Sequence, residues 1–213
     1  LALEVIRRLK AEYPDAGCTL DYDHAWQLLV SVRLAAQCTD ARVNIVVEEL
    51  FAKYPSVAAL AAAEPEDIEA IVKPCGLGHS KARDISACMR MLRDKYDCRV
   101  PNTFEELLAL PGVGRKSANL IMGDVFGKPA IVTDTHCIRL CNKIGLVDGI
   151  KEPQKVEMAL WKIIPPEEGS DLCHRFVMHG RAVCNARKPE CEKCCLKDIC
   201  RTAREAAGQQ AEP

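Results

Sequence analysis

The sequence lacks a long apolar run, a surplus of charge of either sign and an extended alternation of apolar and polar residues. Uncharged stretches reach only about ten residues, as at 54–63, whereas a membrane-spanning helix needs roughly 18 apolar residues. The first residues, LALEVIRRLKAEYP, are charged and amphipathic, unlike a secretory signal. The formal net charge of −1 excludes a polycation, so any nucleic-acid site must be a local patch.

Cysteine is the residue type in excess, with 13 cysteines among 213 residues. An odd number cannot pair completely within one chain, and a chain of this length buries a core without disulfides. We therefore expect a reducing compartment, the cytoplasm, with association to the nucleoid if the source is bacterial. A hydrophobic fraction of 48% with charges spread throughout excludes disorder and predicts one large domain or two small ones.

Apolar residues recur at helical spacing along most of the chain, so the pattern predicts an all-α fold. Gly and Pro separate the helical segments, and no stretch alternates long enough to predict a strand. Thr103 opens one helix as a capping box with Glu106. The predicted helices begin around Val5 and then cover residues 24–36, 41–53, 65–72, 80–96, 103–108, 115–126, 135–144, 153–163 and 170–183.

Charge is unevenly placed along the chain. Residues 48–72 carry six acidic side chains and one basic, a balance of −5. Residues 175–204 carry eight basic side chains and three acidic, a balance of +5. Either segment alone is most simply a solvated helical face, but the basic one also contains the densest group of cysteines.

That group is Cys184, Cys191, Cys194 and Cys200, four cysteines within 17 positions. Thiolates this close repel one another unless a cation holds them, so the spacing predicts a metal centre. Structural zinc sites usually bring their ligands as two short-range pairs, and only one such pair is present here. A compact loop that binds an iron–sulfur cluster fits better, with zinc as the alternative. Eight further cysteines are scattered through helical segments and are expected to be ordinary buried side chains.

Residues 110–119, LPGVGRKSAN, lie between two predicted helices. Gly112 and Gly114 permit a positive φ and a close approach of the backbone to a ligand. The helix that starts at Arg115 presents unpaired N–H groups and the positive end of its dipole, which suits a phosphate. The alternative is a plain turn between two helices.

Lys116 and Asp134 are the candidate catalytic side chains. Lys116 falls in the first turn after the glycines, where the helix dipole favours the neutral amine that a Schiff-base nucleophile needs, and burial would add to this effect. A solvated lysine or a phosphate contact is the simpler alternative. Asp134 precedes a helical run, so we expect an N-cap, and a carboxylate there is also placed to stabilise a cation that forms nearby. His136, in the next turn, is more simply structural.

Several segments together resemble the endonuclease III family of DNA glycosylases, over about residues 1–203. The residues that carry this resemblance are Gln37-Cys-Thr-Asp40, Gly76-Leu77, the 110–119 segment, Val132-Thr-Asp-Thr-His136, His179-Gly-Arg181 and the cysteine loop. The 110–119 segment resembles the helix-hairpin-helix motif, which grips the DNA backbone without reading sequence. The cysteine spacing resembles the family's [4Fe–4S] loop, from which Cys195 is left out. The chain departs from many relatives at Arg33, Ala35, Gly78 and His79.

The resemblance implies an all-α, two-domain fold with a DNA cleft between the domains. A six-helix barrel that carries the helix-hairpin-helix motif would span residues 19–128. Residues 1–18 and 129–213 would form the iron–sulfur cluster domain, in which the four cysteines hold a [4Fe–4S] cluster.

The resemblance also implies a bifunctional DNA glycosylase and abasic-site lyase of base excision repair. Lys116 would be the nucleophile and Asp134 the essential carboxylate, acting on oxidised pyrimidines in double-stranded DNA. Gln37 and Leu77 would fill the space that the flipped nucleotide leaves. Further DNA contacts are expected at Pro111, Gly112, Val113, Gly114, Arg115, Arg187 and Lys188.

The lesion pocket is expected to include Asp40 and His136, and the partner is double-stranded DNA with a damaged base or an abasic site. We expect a monomer that does not enter a membrane. Two alternatives stay open. A metal-containing DNA-binding module without catalysis would turn over no lesion, and a monofunctional glycosylase would release the base but leave the strand uncut. Relatives of the latter type lack the lysine found at 116.

Overall fold

The computed structural model describes residues 1–210, with side chains through residue 208. Within that range the chain forms twelve α-helices and three 3-10 turns, and no strand occurs there, so the all-α prediction is confirmed. The helices are α1 Ala2–Glu12, α2 Ala25–Leu34, α3 Asp40–Lys53, α4 Val57–Ala62, α5 Pro65–Val72, α6 Gly78–Lys95, α7 Phe104–Ala109, α8 Arg115–Asp124, α9 Thr135–Ile144, α10 Pro153–Leu160, α11 Gly169–Ala182 and α12 Arg201–Gln210. Among these described helices none is long and apolar enough to cross a membrane.

The chain divides into two compact units. One, Cys18–Phe126, is continuous and is called the inserted unit here. The other, the discontinuous unit, joins Leu1–Gly17 to Gly127–Pro213. The inserted unit holds α2 to α8 and the discontinuous unit holds α1 and α9 to α12.

The core of the inserted unit is built around α6, against which α4 and α5 pack. The apolar stripe that the helical spacing predicts on α6 is buried throughout, at Ile85, Cys88, Met89 and Leu92. Complete burial of a Leu or Ile side chain stabilises a fold by about 1.5 to 3 kcal/mol, so this stripe anchors the helix. Lys81 lies on the same stripe and is fully buried, with 0% of its surface exposed.

Side-chain caps set several helix starts in the inserted unit. The Thr103 hydroxyl accepts from the Glu106 amide at 3.3 Å and donates to the Glu106 carboxylate at 2.7 Å, which confirms the predicted capped start of α7. The Ser56 hydroxyl accepts from the Ala59 amide at 3.0 Å and starts α4, a helix that the apolar pattern did not predict.

Contacts between distant parts of the sequence hold α1 in the discontinuous unit. The predicted apolar face of α1, Val5, Ile6 and Leu9, is buried. Arg8 makes a bidentate ion pair with Asp198 and also donates to the Cys195 carbonyl at 2.9 Å. The start of the chain is therefore fixed to the cysteine loop near its end.

Candidate functional site

The 110–119 segment forms a tight turn between α7 and α8. The Val113 amide donates to the Leu110 carbonyl at 3.2 Å, and Gly112 has a φ of +74°. Gly114 is the N-cap of α8 with an extended backbone, and a glycine has no side chain with which to cap the helix. The first amides of α8 have no acceptor within the helix, and amides placed in this way are suited to binding an anion such as phosphate.

Gly112 is required by space as well as by backbone geometry. A Cβ atom at this position would lie 2.8 Å from the Asp84 Cβ and 3.1 Å from the Arg33 Cδ. Asp84 and Arg33 form a half-buried ion pair, with Arg33 Nε 2.7 Å from Asp84 Oδ2. The Arg33 side chain thus packs against the turn at Gly112.

The two basic residues that follow Gly114 have different surroundings. The Arg115 guanidinium lies over the Phe104 ring, 4.9 Å from its centroid, so α7 holds it in place. Lys116 is exposed in the first turn of α8. The burial that would have added to the effect of the helix dipole is therefore not found at Lys116.

Gln37 and Leu77, the residues expected to fill the vacated space, share an unusual backbone. Their φ angles are +55° and +50°, in the left-handed region that residues other than glycine seldom adopt. Both side chains are exposed, Leu77 to 56%, so Leu77 is not a core leucine. Strained and exposed residues of this kind cluster at functional sites, where surrounding structure must hold them at a cost of about 1 to 3 kcal/mol each.

Asp40, expected near the lesion, is the first residue of α3 and accepts a hydrogen bond from the Thr19 hydroxyl. The N-cap of α3 is Thr39, whose hydroxyl accepts from the Arg42 amide at 3.3 Å. Asp40 therefore ties the first residues of the inserted unit to the segment that carries Gln37.

Asp134 is the N-cap of α9, as its position before a helical run predicts. Its carboxylate accepts from the Cys137 amide at 2.7 Å and is half-buried. The residues before it are buried, and the Val132 amide donates to the Cys173 sulfur at 3.2 Å. The carboxylate is thus held at one fixed place, beside the positive end of its own helix dipole.

His136 is held by α11 rather than pointing freely outward. A guanidinium only donates, so His136 Nδ1 accepts a hydrogen bond from Arg139 Nη2 at 3.1 Å. A Cβ atom on Gly180 would lie 2.5 Å from His136 Nδ1, which explains a glycine in the His-Gly-Arg segment. Arg139 also donates to the Cys184 carbonyl at 2.9 Å and so links the Asp134 helix to the cysteine loop.

The four predicted ligands, Cys184, Cys191, Cys194 and Cys200, line one cavity. Cys195 is absent from that lining, and all of these cysteines are free thiols. The remaining lining is mostly apolar and includes Val183, Pro189 and Ala203. Four soft sulfur donors in a mostly apolar lining suit an iron–sulfur cluster. Within residues 1–210 no His, Cys, Asp or Glu side chains are gathered as a single-ion site.

Hydrogen bonds to the cavity's sulfur atoms come from buried groups. His179, only 1% exposed, places Nε2 3.3 Å from Cys194 Sγ and Nδ1 2.9 Å from the Tyr13 hydroxyl. The Leu196 amide lies 3.4 Å from the same sulfur. Burial lowers the pKa of His179 and raises the pKa of Tyr13 to about 12, so both groups are neutral at pH 7. A thiolate at Cys194 would accept from Nε2–H while the Tyr13 hydroxyl donates to Nδ1.

Arg187 and Lys188 lie in the loop between Cys184 and Cys191, and both are exposed. The Lys188 amide donates to the Asn185 side chain at 2.6 Å, which fixes the turn that presents them.

The structure groups the predicted site residues unit by unit. The inserted unit holds the turn, Lys116, Asp40 and the two residues with positive φ, while the discontinuous unit holds Asp134, His136 and the cysteine loop. Sequence reasoning missed the supporting residues Lys81 and Arg139. A lysine on the apolar stripe of a helix is the signal that could have found Lys81.

Comparison with known proteins gives a consistent result. Residues 30–166 match the family described as "HhH-GPD superfamily base excision DNA repair protein". The chain is 43% identical to Endonuclease III of Synechocystis sp. (strain ATCC 27184 / PCC 6803 / Kazusa) over 95% of this chain and 92% of that protein. It superimposes with a TM-score of 0.90 on a structure described as a non-covalent Endonuclease III-DNA complex, at 39% identity over 97% and 96% of the two chains. A trapped Endonuclease III-DNA covalent intermediate gives a TM-score of 0.90 at 40% identity over 96% of each chain.

Proposed function

The chain belongs to the endonuclease III family of the HhH-GPD superfamily, and from that membership we propose how its residues act as a DNA glycosylase and AP lyase. The activity is bifunctional base excision repair, in which the enzyme removes a damaged base and then nicks the strand. The observation that carries the residue assignment is the exposed lysine in the first turn of α8, directly after the turn at Gly112 and Gly114.

Lys116 is the nucleophile. Its Nζ attacks C1′ of the damaged nucleotide, so that an N–C bond forms while the glycosidic bond breaks and its electron pair leaves with the base. Loss of the ring oxygen's bond to C1′ then gives an imine between Lys116 and the sugar. The imine makes the C2′ proton acidic, and removal of that proton expels the 3′ phosphate by β-elimination.

Asp134 acts electrostatically. Its carboxylate stabilises the positive charge that develops on the sugar as the base leaves, because an oriented charge needs no reorganisation during the reaction. The hydrogen bond from the Cys137 amide holds the carboxylate in position at the start of α9.

The DNA is held by the turn at Gly112 and Gly114, whose α8 amides bind a phosphate, and by Arg187 and Lys188 of the cysteine loop. Gln37 and Leu77 occupy the space that the flipped nucleotide leaves. Oxidised pyrimidines are the substrate class, and damage to a base lowers the free energy needed to flip it. Asp40 and His136 border the lesion.

Endonuclease III proteins carry a [4Fe–4S] cluster, and here Cys184, Cys191, Cys194 and Cys200 would hold it. Bound there, the cluster supplies a cross-link that orders the loop presenting Arg187 and Lys188. The mixed lining of thiols and apolar groups supports this assignment.

Borohydride trapping tests the nucleophile. With duplex DNA that contains one oxidised pyrimidine, the protein should form a covalent adduct, and Lys116→Met should abolish it. Lys162→Met, an exposed lysine outside the proposed site, is the matched control and should trap like the wild type.

Equal trapping by Lys116→Met and Lys162→Met would show that another amine reacts. Base release with an uncut strand in the wild type would instead indicate a monofunctional glycosylase. DNA binding without release of any base would indicate a non-catalytic module.

A further inference from the structure

The most buried charged group in the inserted unit is the ammonium of Lys81, on the first turns of α6. Its side chain is 0% exposed. Its Nζ donates to three backbone carbonyls, those of Leu34 at 2.8 Å, Ala36 at 2.7 Å and Cys75 at 3.0 Å. A lysine ammonium has three N–H donors, so these carbonyls use all of them.

The three carbonyls belong to the two segments that carry Gln37 and Leu77. Leu34 ends α2, and Ala36 directly precedes Gln37. Cys75 ends the 3-10 turn Lys73–Cys75, two residues before Leu77. The backbone amide of Lys81 also donates to the Leu77 carbonyl at 3.0 Å. One residue therefore bonds to both segments.

The positive charge of Lys81 is favourable at the C-terminal end of α2. The last carbonyls of α2 receive no hydrogen bond from an N–H group of their own helix, and they form the negative end of its dipole, which favours a cation. Removing the ammonium would leave three carbonyls without their donors, and a buried polar group without a hydrogen-bond partner destabilises the fold. Burial lowers the pKa of Lys81, so its three hydrogen bonds must compensate for lost hydration.

Both segments need such support. Gln37 and Leu77 have positive φ values that cost free energy, yet their side chains are exposed and bury little surface in return. Two separate loops with strained tips would otherwise move independently. A wedge that must enter duplex DNA from two loops loses less conformational entropy on binding if the loops are already fixed.

We propose that Lys81 is a positioning residue that fixes Gln37 and Leu77 together as one preformed wedge for nucleotide flipping. The proposal rests on the proposed function, in which these two residues fill the vacated space. Lys81 itself touches no substrate. Its effect is confined to substrates whose target nucleotide must first be turned out of a duplex.

The experiment compares two substrates in single-turnover assays with Lys81→Met. One is a duplex with a single oxidised pyrimidine and a neighbouring 2-aminopurine, whose fluorescence rises when the stack opens. The other is a single strand with an abasic site, which needs no flipping. We expect the duplex rate and the 2-aminopurine signal to fall at least about tenfold, while the single-strand lyase rate stays within about twofold. Lys95→Met, an exposed lysine on the same helix, is the control and should change neither.

An equal loss on both substrates would show a purely structural role, and an unchanged duplex rate would show no role, so either overturns the proposal. If Lys81→Met does not fold, Lys81→Arg keeps the charge but displaces the carbonyls, and the ratio of the two rates is read in the same way. A wild-type protein that traps on neither substrate would refute the proposed function itself, which separates the two failures.

Discussion

Substituting each of the two glycines in the turn between α7 and α8 should distinguish what the turn contributes to protein stability from what it contributes to DNA binding. In Gly112→Ala, the φ of +74° costs about 1 to 2 kcal/mol for a residue with a Cβ. The new Cβ would also lie 2.8 Å from the Asp84 Cβ, a backbone-proximal atom that cannot swing away. Overpacking of this kind costs about 1 to 3 kcal/mol, so the total is roughly 3 kcal/mol.

Gly114→Ala is the matched partner. The backbone at Gly114 is extended, with a φ of −93°, and a Cβ there meets nothing within 4 Å. Its cost in stability should be no more than about 1 kcal/mol, the usual difference between an alanine and a glycine N-cap. A phosphate seated on the first amides of α8 would nevertheless meet the added methyl group. Loss of one hydrogen bond to a charged group costs about 1.5 to 3 kcal/mol, or roughly 10- to 100-fold in Kd.

Thermal unfolding and binding to a duplex with an uncleavable abasic-site analogue measure the two effects. At about 2 to 4 °C per kcal/mol, Gly112→Ala should lower Tm by roughly 6 to 12 °C, whereas Gly114→Ala should barely move it and should lose affinity. A Gly112→Ala protein with the wild-type Tm would refute the packing argument. A Gly114→Ala protein with wild-type affinity would refute the phosphate seat.

Three further predictions follow from the discontinuous unit. Asp134→Asn keeps the N-cap, so the free energy of unfolding should change by less than about 0.5 kcal/mol while single-turnover base release falls about 100-fold. Asp134→Ala should lose the activity and also about 1 kcal/mol of stability. Equal stabilities of the two variants would contradict the N-cap role. Cys195→Ala should retain bound iron, sulfide and visible absorbance, whereas Cys191→Ala should lose them; a colourless, zinc-containing wild type would overturn the cluster. Changing Arg187 and Lys188 together to Gln should reduce the slope of log K against log salt concentration by about 1.8, and an unchanged slope would place both away from phosphates.

The apolar pattern predicted most helices because their buried residues repeat at helical spacing. The observed helix ends differ from the predicted ones where the backbone leaves the helical conformation. Residues 24–36 were predicted as one helix, but α2 ends at Leu34 since the chain turns into the positive φ of Gln37. The six-residue α4 was missed because one and a half turns of mostly alanine show no period. Its start rests on the Ser56 hydroxyl, a local hydrogen bond that composition does not reveal.

The parts of the candidate site that are formed by residues close in sequence could be predicted, as with the N-cap at Asp134 and the turn before Lys116. The supporting contacts were not, because they join residues far apart in sequence. Lys81 reaches carbonyls 47 and 45 residues away, and Arg139 bonds to a carbonyl 45 residues away. Such pairs become visible only once the helices are packed.

The route of the chain through the discontinuous unit has a consequence for synthesis. Arg8 and Asp198 are 190 residues apart, so α1 leaves the ribosome long before its partners exist. The inserted unit is complete in sequence by Phe126 and can fold while the rest is still being made. The first helix must wait, with its apolar face uncovered, for α11 and the cysteine loop. Closure of this unit is therefore a late, long-range step. In a circular permutant that moves residues 1–17 behind the last helix, α1 would instead pack against residues that are near it in sequence.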